Sequence, residues 1–106
     1  MIRKNKIYII AEIGLNHGGN INVAKRLIKD AKEAGADAAK FQIFEPHTLG
    51  REKNKNVASK IWKRLFSSDA DIKKLQTFCK SQKIDFICSI FDNESLRRIG
   101  KFNLKF

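Results

Sequence analysis

Apolar and polar positions along this chain alternate between a strand rhythm and a helix rhythm. Ile7 to Ala11 (IYIIA) is an unbroken, largely β-branched apolar run closed by Glu12, which predicts a strand buried on both faces. The loop IGLNHGGN follows, where adjacent glycines and asparagines admit left-handed turn geometry. Asn20 is placed to cap the next helix, in which Ile21, Ala24, Leu27, Ile28 and Ala31 recur at helical spacing up to Ala34. Gly35 stops that helix. A second strand, Ala38 to Ile43, begins within three residues, so the first unit reads as βαβ with a parallel crossover.

The rhythm then loosens. Pro46, His47 and Gly50 open a loop, REKNKN is a charged run expected to be mobile, and VASKIWKRLF predicts a helical turn packing Trp62 and Leu65. Ser68 and Asp71 resemble a capping box with Asp in place of Glu. Ile72, Leu75, Phe78 and Cys79 form the apolar stripe of a helix ending near Gln82. DFICS, residues 85–89, predicts the third strand. Asp92 or Asn93 caps a last helix, expected to turn Leu96 and Ile99 inward and to end at Gly100, and Phe102 to Phe106 reads as the opening of a fourth strand. Three βα units and the start of a fourth strand fall short of the ~250 residues of a closed (β/α)8 barrel. The expected fold class is therefore α/β: the N-terminal three βα units of a TIM barrel, truncated, as one partial domain over residues 1–106.

Composition narrows the function classes. The chain is 42% hydrophobic and 31% charged with one Pro, so it is neither disordered nor fibrous. Its apolar runs fall well short of a ~20-residue membrane span. The basic start MIRKNK precedes an apolar run too short for a secretory signal core, and no small-residue cleavage site follows. A cytoplasmic location without membrane attachment is expected. Cys79 and Cys88 sit among apolar residues with no CxxC, the setting of reduced core thiols. The net charge of +11 suits a polyanion binder. However, Lys25, Arg26, Lys29 and Lys32 decorate one helix and Lys73, Lys74, Lys80 and Lys83 another, interspersed with acids and without interleaved aromatics. That spread reads as solvated faces, with no nucleic-acid partner expected.

A few residues stand where a core would not choose them. Glu12 closes the first strand, and Lys40 and Gln42 share one face of the second, with Phe41 and Ile43 on the other. In parallel α/β proteins chemistry gathers at the C-terminal ends of strands. A carboxylate there can hold sugar hydroxyls or move a proton, while an ammonium and an amide suit an anionic substrate. Ser89, ending the third strand, can offer a hydroxyl to a phosphate or carboxylate, or simply serve a turn. Asp92 reads first as a cap. His17 and His47 are solitary loop histidines, and no HExxH, nucleophile elbow or Walker loop is present.

Together, IAEIGLNHGGNINVAKRLIKDAKEAGADAAKFQIF and DFICSIFDNESL resemble the N-acetylneuraminate (sialic acid) synthase family, whose pattern runs from AE-x-G-x-NH through EAGAD to a KxQ strand. The resemblance covers nearly the whole of this chain but about the first third of the usual protein. It implies a condensation of phosphoenolpyruvate with an N-acetylated amino sugar such as N-acetylmannosamine or a related 2,4-diacetamido sugar. In that reaction C3 of the enol attacks the open-chain aldehyde, which a divalent metal (Mn or Mg) polarises. Water adds at C2 and phosphate leaves by C–O cleavage. Carried over, Glu12 is the catalytic residue at the reacting sugar, Lys40, Gln42 and Ser89 bind substrate, and Asn16 and His17 shape the first loop. Ser89 stands where the family has Thr, and Ile90 replaces its Pro. The family's KxxS phosphate site is expected just beyond Phe106, its metal-binding histidines on later strands, and its C-terminal antifreeze-like domain outside this chain. The full-length family is expected to be homodimeric, and this fragment inactive alone. Two other readings compete: another phosphoenolpyruvate-using or aldolase-type barrel, and a small basic polyanion-binding protein.

Overall fold

The structure is a computed structural model and describes residues 6–48, 57–65 and 67–104. Its element order is β1 (Ile10–Gly14), α1 (Ile21–Glu33), β2 (Ala38–Ile43), α2 (Val57–Leu65), α3 (Asp69–Ser81), β3 (Asp85–Ile90) and α4 (Asn93–Ile99), with 3-10 turns at Pro46–Thr48 and Gly100–Phe102. The three strands form one parallel sheet in the order β1-β2-β3. The charged run REKNKN lies outside the described residues.

Local chemistry sets each helix boundary. Asn20 Oδ1 accepts the backbone N–H groups of Asn22 and Val23 at 2.9 and 3.1 Å, satisfying donors that the first turn of α1 leaves without partners. Gly35, at φ +96°, supplies the left-handed residue that ends it. Ser68 Oγ accepts the Asp71 N–H at 3.1 Å and so starts α3.

The sheet has two unlike faces. Ile13, Ala39, Phe41, Ile43 and Phe86 point toward α1 and α3, and meet Ala24, Ile28, Ile72, Leu75 and Cys79 in one core. Phe41 stacks on Phe86 with centroids 5.6 Å apart. Phe44, also buried, meets Trp62 edge-on at 5.7 Å and seats α2. On the opposite face the β2 residues Lys40 and Gln42 remain half-buried between buried neighbours, the expected alternation.

Three expectations change. Hydrophobicity predicts the first strand at Ile7–Ala11, whereas β1 runs from Ile10 to Gly14. Register decides this, because Ile10 pairs with Ala38, where β2 starts, and Ile9 is spent on Asp37 through its N–H and carbonyl. Hydrophobicity located the run but not its pairing partner, so Ile7 is 86% exposed and Glu12 lies inside β1 rather than after it. In α4, Asp92 sets the helical phase by accepting the Ser95 N–H at 2.6 Å. Ser95 and Ile99 turn inward, and Leu96, expected inside, is 55% exposed. Finally, Phe102 closes a 3-10 turn and Asn103 takes φ +50°, which a strand does not allow, so no fourth strand opens before Leu104; Lys105 and Phe106 lie outside the described residues.

Cys79 is buried and Cys88 partly buried, and both are free thiols. Burial pushes the Cys79 thiol up to about 12, with Asp85 adding to it, and the Cys88 thiol up to about 11. Among the described residues no helix is long and apolar enough to cross a membrane.

Candidate functional site

Strand register builds the candidate site. In parallel strands, paired residues share a face. Glu12 pairs with Lys40, Lys40 with Ile87, and Gln42 with Ser89. Glu12, Lys40, Gln42 and Ser89 therefore lie on one sheet face, the one turned away from α1 and α3. Four of the residues singled out from the sequence are brought together by three adjacent strands.

The geometry is closest at its centre. Lys40 Nζ lies 3.4 Å from Glu12 Oε1, with side chains 31% and 53% exposed, so the pair is held yet open to a ligand. The register of β1 and β2 slips between Glu12 and Gly14, a bulge that leaves Gly14 opposite Phe41. At Gly14, φ is +57°, and a Cβ built there would come 3.6 Å from Gln42 Nε2. The bulge thus lets the β1 backbone run beside the Gln42 amide. Deeper on this face Tyr8 Oη donates to Asp85 Oδ2 at 2.6 Å, and burial with that carboxylate raises the phenol well above its usual range.

Asn16 and His17 are held within the loop between β1 and α1. Asn16 donates from its backbone N and from Nδ2 to Ile13 O, at 3.0 and 2.9 Å. His17 is buried, and its Nδ1 accepts the Gly19 N–H at 2.9 Å, which places the imidazole proton on Nε2. Its ring tilts against Phe41 at 6.0 Å, on the core side of the sheet. Burial lowers the His17 pKa, opposed in part by Asp71. His17 is therefore directed away from the Glu12–Lys40 face.

Sequence reasoning missed a polar network at the edge of this end of the sheet. Asp92 caps α4 and also accepts the Glu45 N–H through Oδ2 at 2.8 Å. Arg98 donates to Glu45 at 2.7 Å, to Asp69 at 2.8 Å and to the Ser67 carbonyl. His47, read as a solitary loop histidine, lies 3.1 Å from Glu94. These partners are separated by 29 to 53 residues in sequence, so periodicity offers no sign of them.

Comparisons with known proteins bear on the family and the fold. The NeuB family model matches residues 27–106. The N-acetylneuraminate-9-phosphate synthase of Mus musculus is 36% identical over 115 residues, covering 97% of this chain and 32% of that protein. The N,N'-diacetyllegionaminic acid synthase of Legionella pneumophila is 39% identical over 101 residues, covering 84% and 28%. The crystal structure of the N-acetylneuraminic acid synthetase from Leptospira borgpetersenii serovar Hardjo-bovis, in complex with citrate, superposes with a TM-score of 0.85 at 31% identity, over 95% of this chain and 35% of that one. The chain thus spans about a third of the length of the relatives it matches, and its α/β architecture corresponds to the N-terminal part of their barrel. A family match over residues 27–106 and a near-complete structural superposition lead to one conclusion: the chain belongs to the NeuB family.

Proposed function

We propose that this chain supplies part of the substrate-binding face of a nonulosonic-acid synthase, which joins phosphoenolpyruvate to an N-acetylated amino sugar. The observation that carries the reading is the convergence of Glu12, Lys40, Gln42 and Ser89 on one face, with Lys40 Nζ 3.4 Å from Glu12 Oε1. Synthases of sialic, legionaminic and pseudaminic acids among the relatives support it.

Each side chain has a separate task. The Lys40 ammonium neutralises the anionic groups of phosphoenolpyruvate, and exchanges part of its attraction to Glu12 for them. Gln42 and Ser89, side by side across β2 and β3, orient the same ligand by hydrogen bonds. Glu12, the one carboxylate beside Lys40 in this group, accepts a hydrogen bond from the sugar and manages the proton of the water that adds at C2. The carbon–carbon bond forms between enol C3 and the aldehyde carbon, the aldehyde oxygen gains a proton, and phosphate leaves with the C2 oxygen.

A divalent metal belongs to the chemistry that the family resemblance implies. This face does not fit one: the Glu12 carboxylate has the Lys40 cation beside it, and the Asp85 carboxylate accepts the Tyr8 hydroxyl. No role above is routed through a metal. We place the setting in the cytoplasm and expect the 106 residues to bind substrate without turning it over.

Titrating phosphoenolpyruvate into the isotopically labelled chain tests this. Saturable amide shifts are expected at Lys40, Gln42 and Ser89, and Lys40→Met is expected to remove them. Shifts scattered over the helix lysines, or none, would overturn the reading. Sialic acid formed by the chain with N-acetylmannosamine, phosphoenolpyruvate and Mn2+ would show that it needs no further segments.

A further inference from the structure

Glu45, His47 and Glu94 meet just past the C-terminal ends of β2 and β3. One ligand atom from each lies within 4.8 Å of the others. Glu45 follows β2 by two residues, His47 sits in the 3-10 turn opened by Pro46, and Glu94 is the second residue of α4. His47 Nε2 and Glu94 Oε2 are 3.1 Å apart. Two ligands on one tetrahedral cation with bonds of about 2.1 Å stand about 3.4 Å from each other, so this pair is already at ligand spacing.

The third carboxylate is held in place by its neighbours. Arg98 Nη1 donates to Glu45 Oε1 at 2.7 Å, and Asp92 Oδ2 takes the Glu45 backbone N–H at 2.8 Å. Outer partners of this kind orient a ligating carboxylate. The Arg98 charge is divided between Glu45 and Asp69, and Asp69 is in turn shared with Lys101. His47 and Glu94 are exposed, which leaves a path for entry and room for water in the remaining coordination positions. One imidazole nitrogen with two carboxylate oxygens suits a borderline divalent cation such as Zn2+ or Co2+.

We propose that Glu45, His47 and Glu94 form a divalent transition-metal site that ties the segment after β2 to the start of α4. It is separate from the Glu12–Lys40 face and does not depend on the reaction assigned to that face. On binding, the cation sits between His47 Nε2 and Glu94 Oε2, and any proton on that nitrogen leaves it.

The test is titration of the 106-residue chain with Zn2+, followed by calorimetry and by the histidine ring resonances. One equivalent is expected to bind, shifting the His47 ring and leaving His17 unmoved. His47→Gln and Glu94→Gln are each expected to weaken binding by at least about tenfold. Both positions are exposed, and an unchanged thermal midpoint without metal confirms that the variants fold. A surface ion pair with no metal function predicts no saturable one-to-one binding, or binding equal in wild type and both variants; either result overturns the proposal.

Discussion

Arg98 Nη1 lies 2.7 Å from Glu45 Oε1, and both side chains are only 13% exposed. The guanidinium also reaches Asp69 and the Ser67 carbonyl, so one residue of α4 joins the end of β2 to the start of α3. Removing one partner of a buried pair strands the other charge, a cost of about 3 kcal/mol or more. Arg98→Ala is expected to destabilise the chain by that order in urea. Arg98→Lys should recover part of it, since a single ammonium cannot serve three acceptors in a fork. A loss below about 1 kcal/mol, typical of an exposed pair, would mean that water already screens this one.

Gly19 is the least replaceable glycine described. At φ +81°, a Cβ there would lie 1.9 Å from the Arg64 carbonyl oxygen, a backbone atom that cannot swing aside. Gly19→Ala is expected to cost several times the ~1 kcal/mol typical of a point mutation. Gly18→Ala, at φ +61° but with open space around it, should cost only the left-handed strain, about 1 kcal/mol. Equal thermal midpoints for the two variants would contradict the close approach of α2 to this loop.

His17 makes stability depend on pH in a defined direction. Burial lowers its pKa in the folded chain, while the unfolded chain keeps about 6.5. Between those values the unfolded state binds more protons, so the contribution is full above about pH 6.5 and is lost as pH falls below it. His17→Asn keeps an acceptor for the Gly19 N–H without the titration. The wild-type midpoint should therefore fall more steeply than the variant's between pH 7 and 5, and parallel curves would exclude the effect.

The three capping side chains should separate by workload. Asn20 and Ser68 serve only their helices, and Asn20→Ala or Ser68→Ala is expected to cost about 1 kcal/mol. Asp92 caps α4 and also holds the Glu45 N–H, so Asp92→Ala should cost about 1 kcal/mol more. Chemical denaturation of the three variants gives the order directly.

The aldolase-type alternative needs Lys40 as a neutral amine attacking a carbonyl. In this structure Lys40 is ion-paired with Glu12. Borohydride treatment in the presence of pyruvate is expected to leave the mass of the chain unchanged. A trapped adduct on Lys40 would transfer the site to Schiff-base chemistry.

Short-range physics accounts for what was legible in the sequence. The bounds of β2, the caps Asn20 and Ser68, the stripe Ile72–Leu75–Cys79 and the facing of Lys40 against Phe41 all follow from periodicity or from hydrogen bonds spanning two to four residues. The grouping of the site needs more, because parallel strands bring Glu12, Lys40, Gln42 and Ser89 to one face only once their register is fixed. That register is what the sequence could not supply. Hydrophobicity marked Ile7–Ala11, but pairing to Ala38 moved β1 three residues on and placed Glu12 against Lys40. The same holds for Arg98 on Glu45 and His47 on Glu94, which are 53 and 47 positions apart and leave no periodic trace. Local propensity chose the elements, whereas which charged side chains meet was decided only when the sheet and helices packed and brought distant segments side by side.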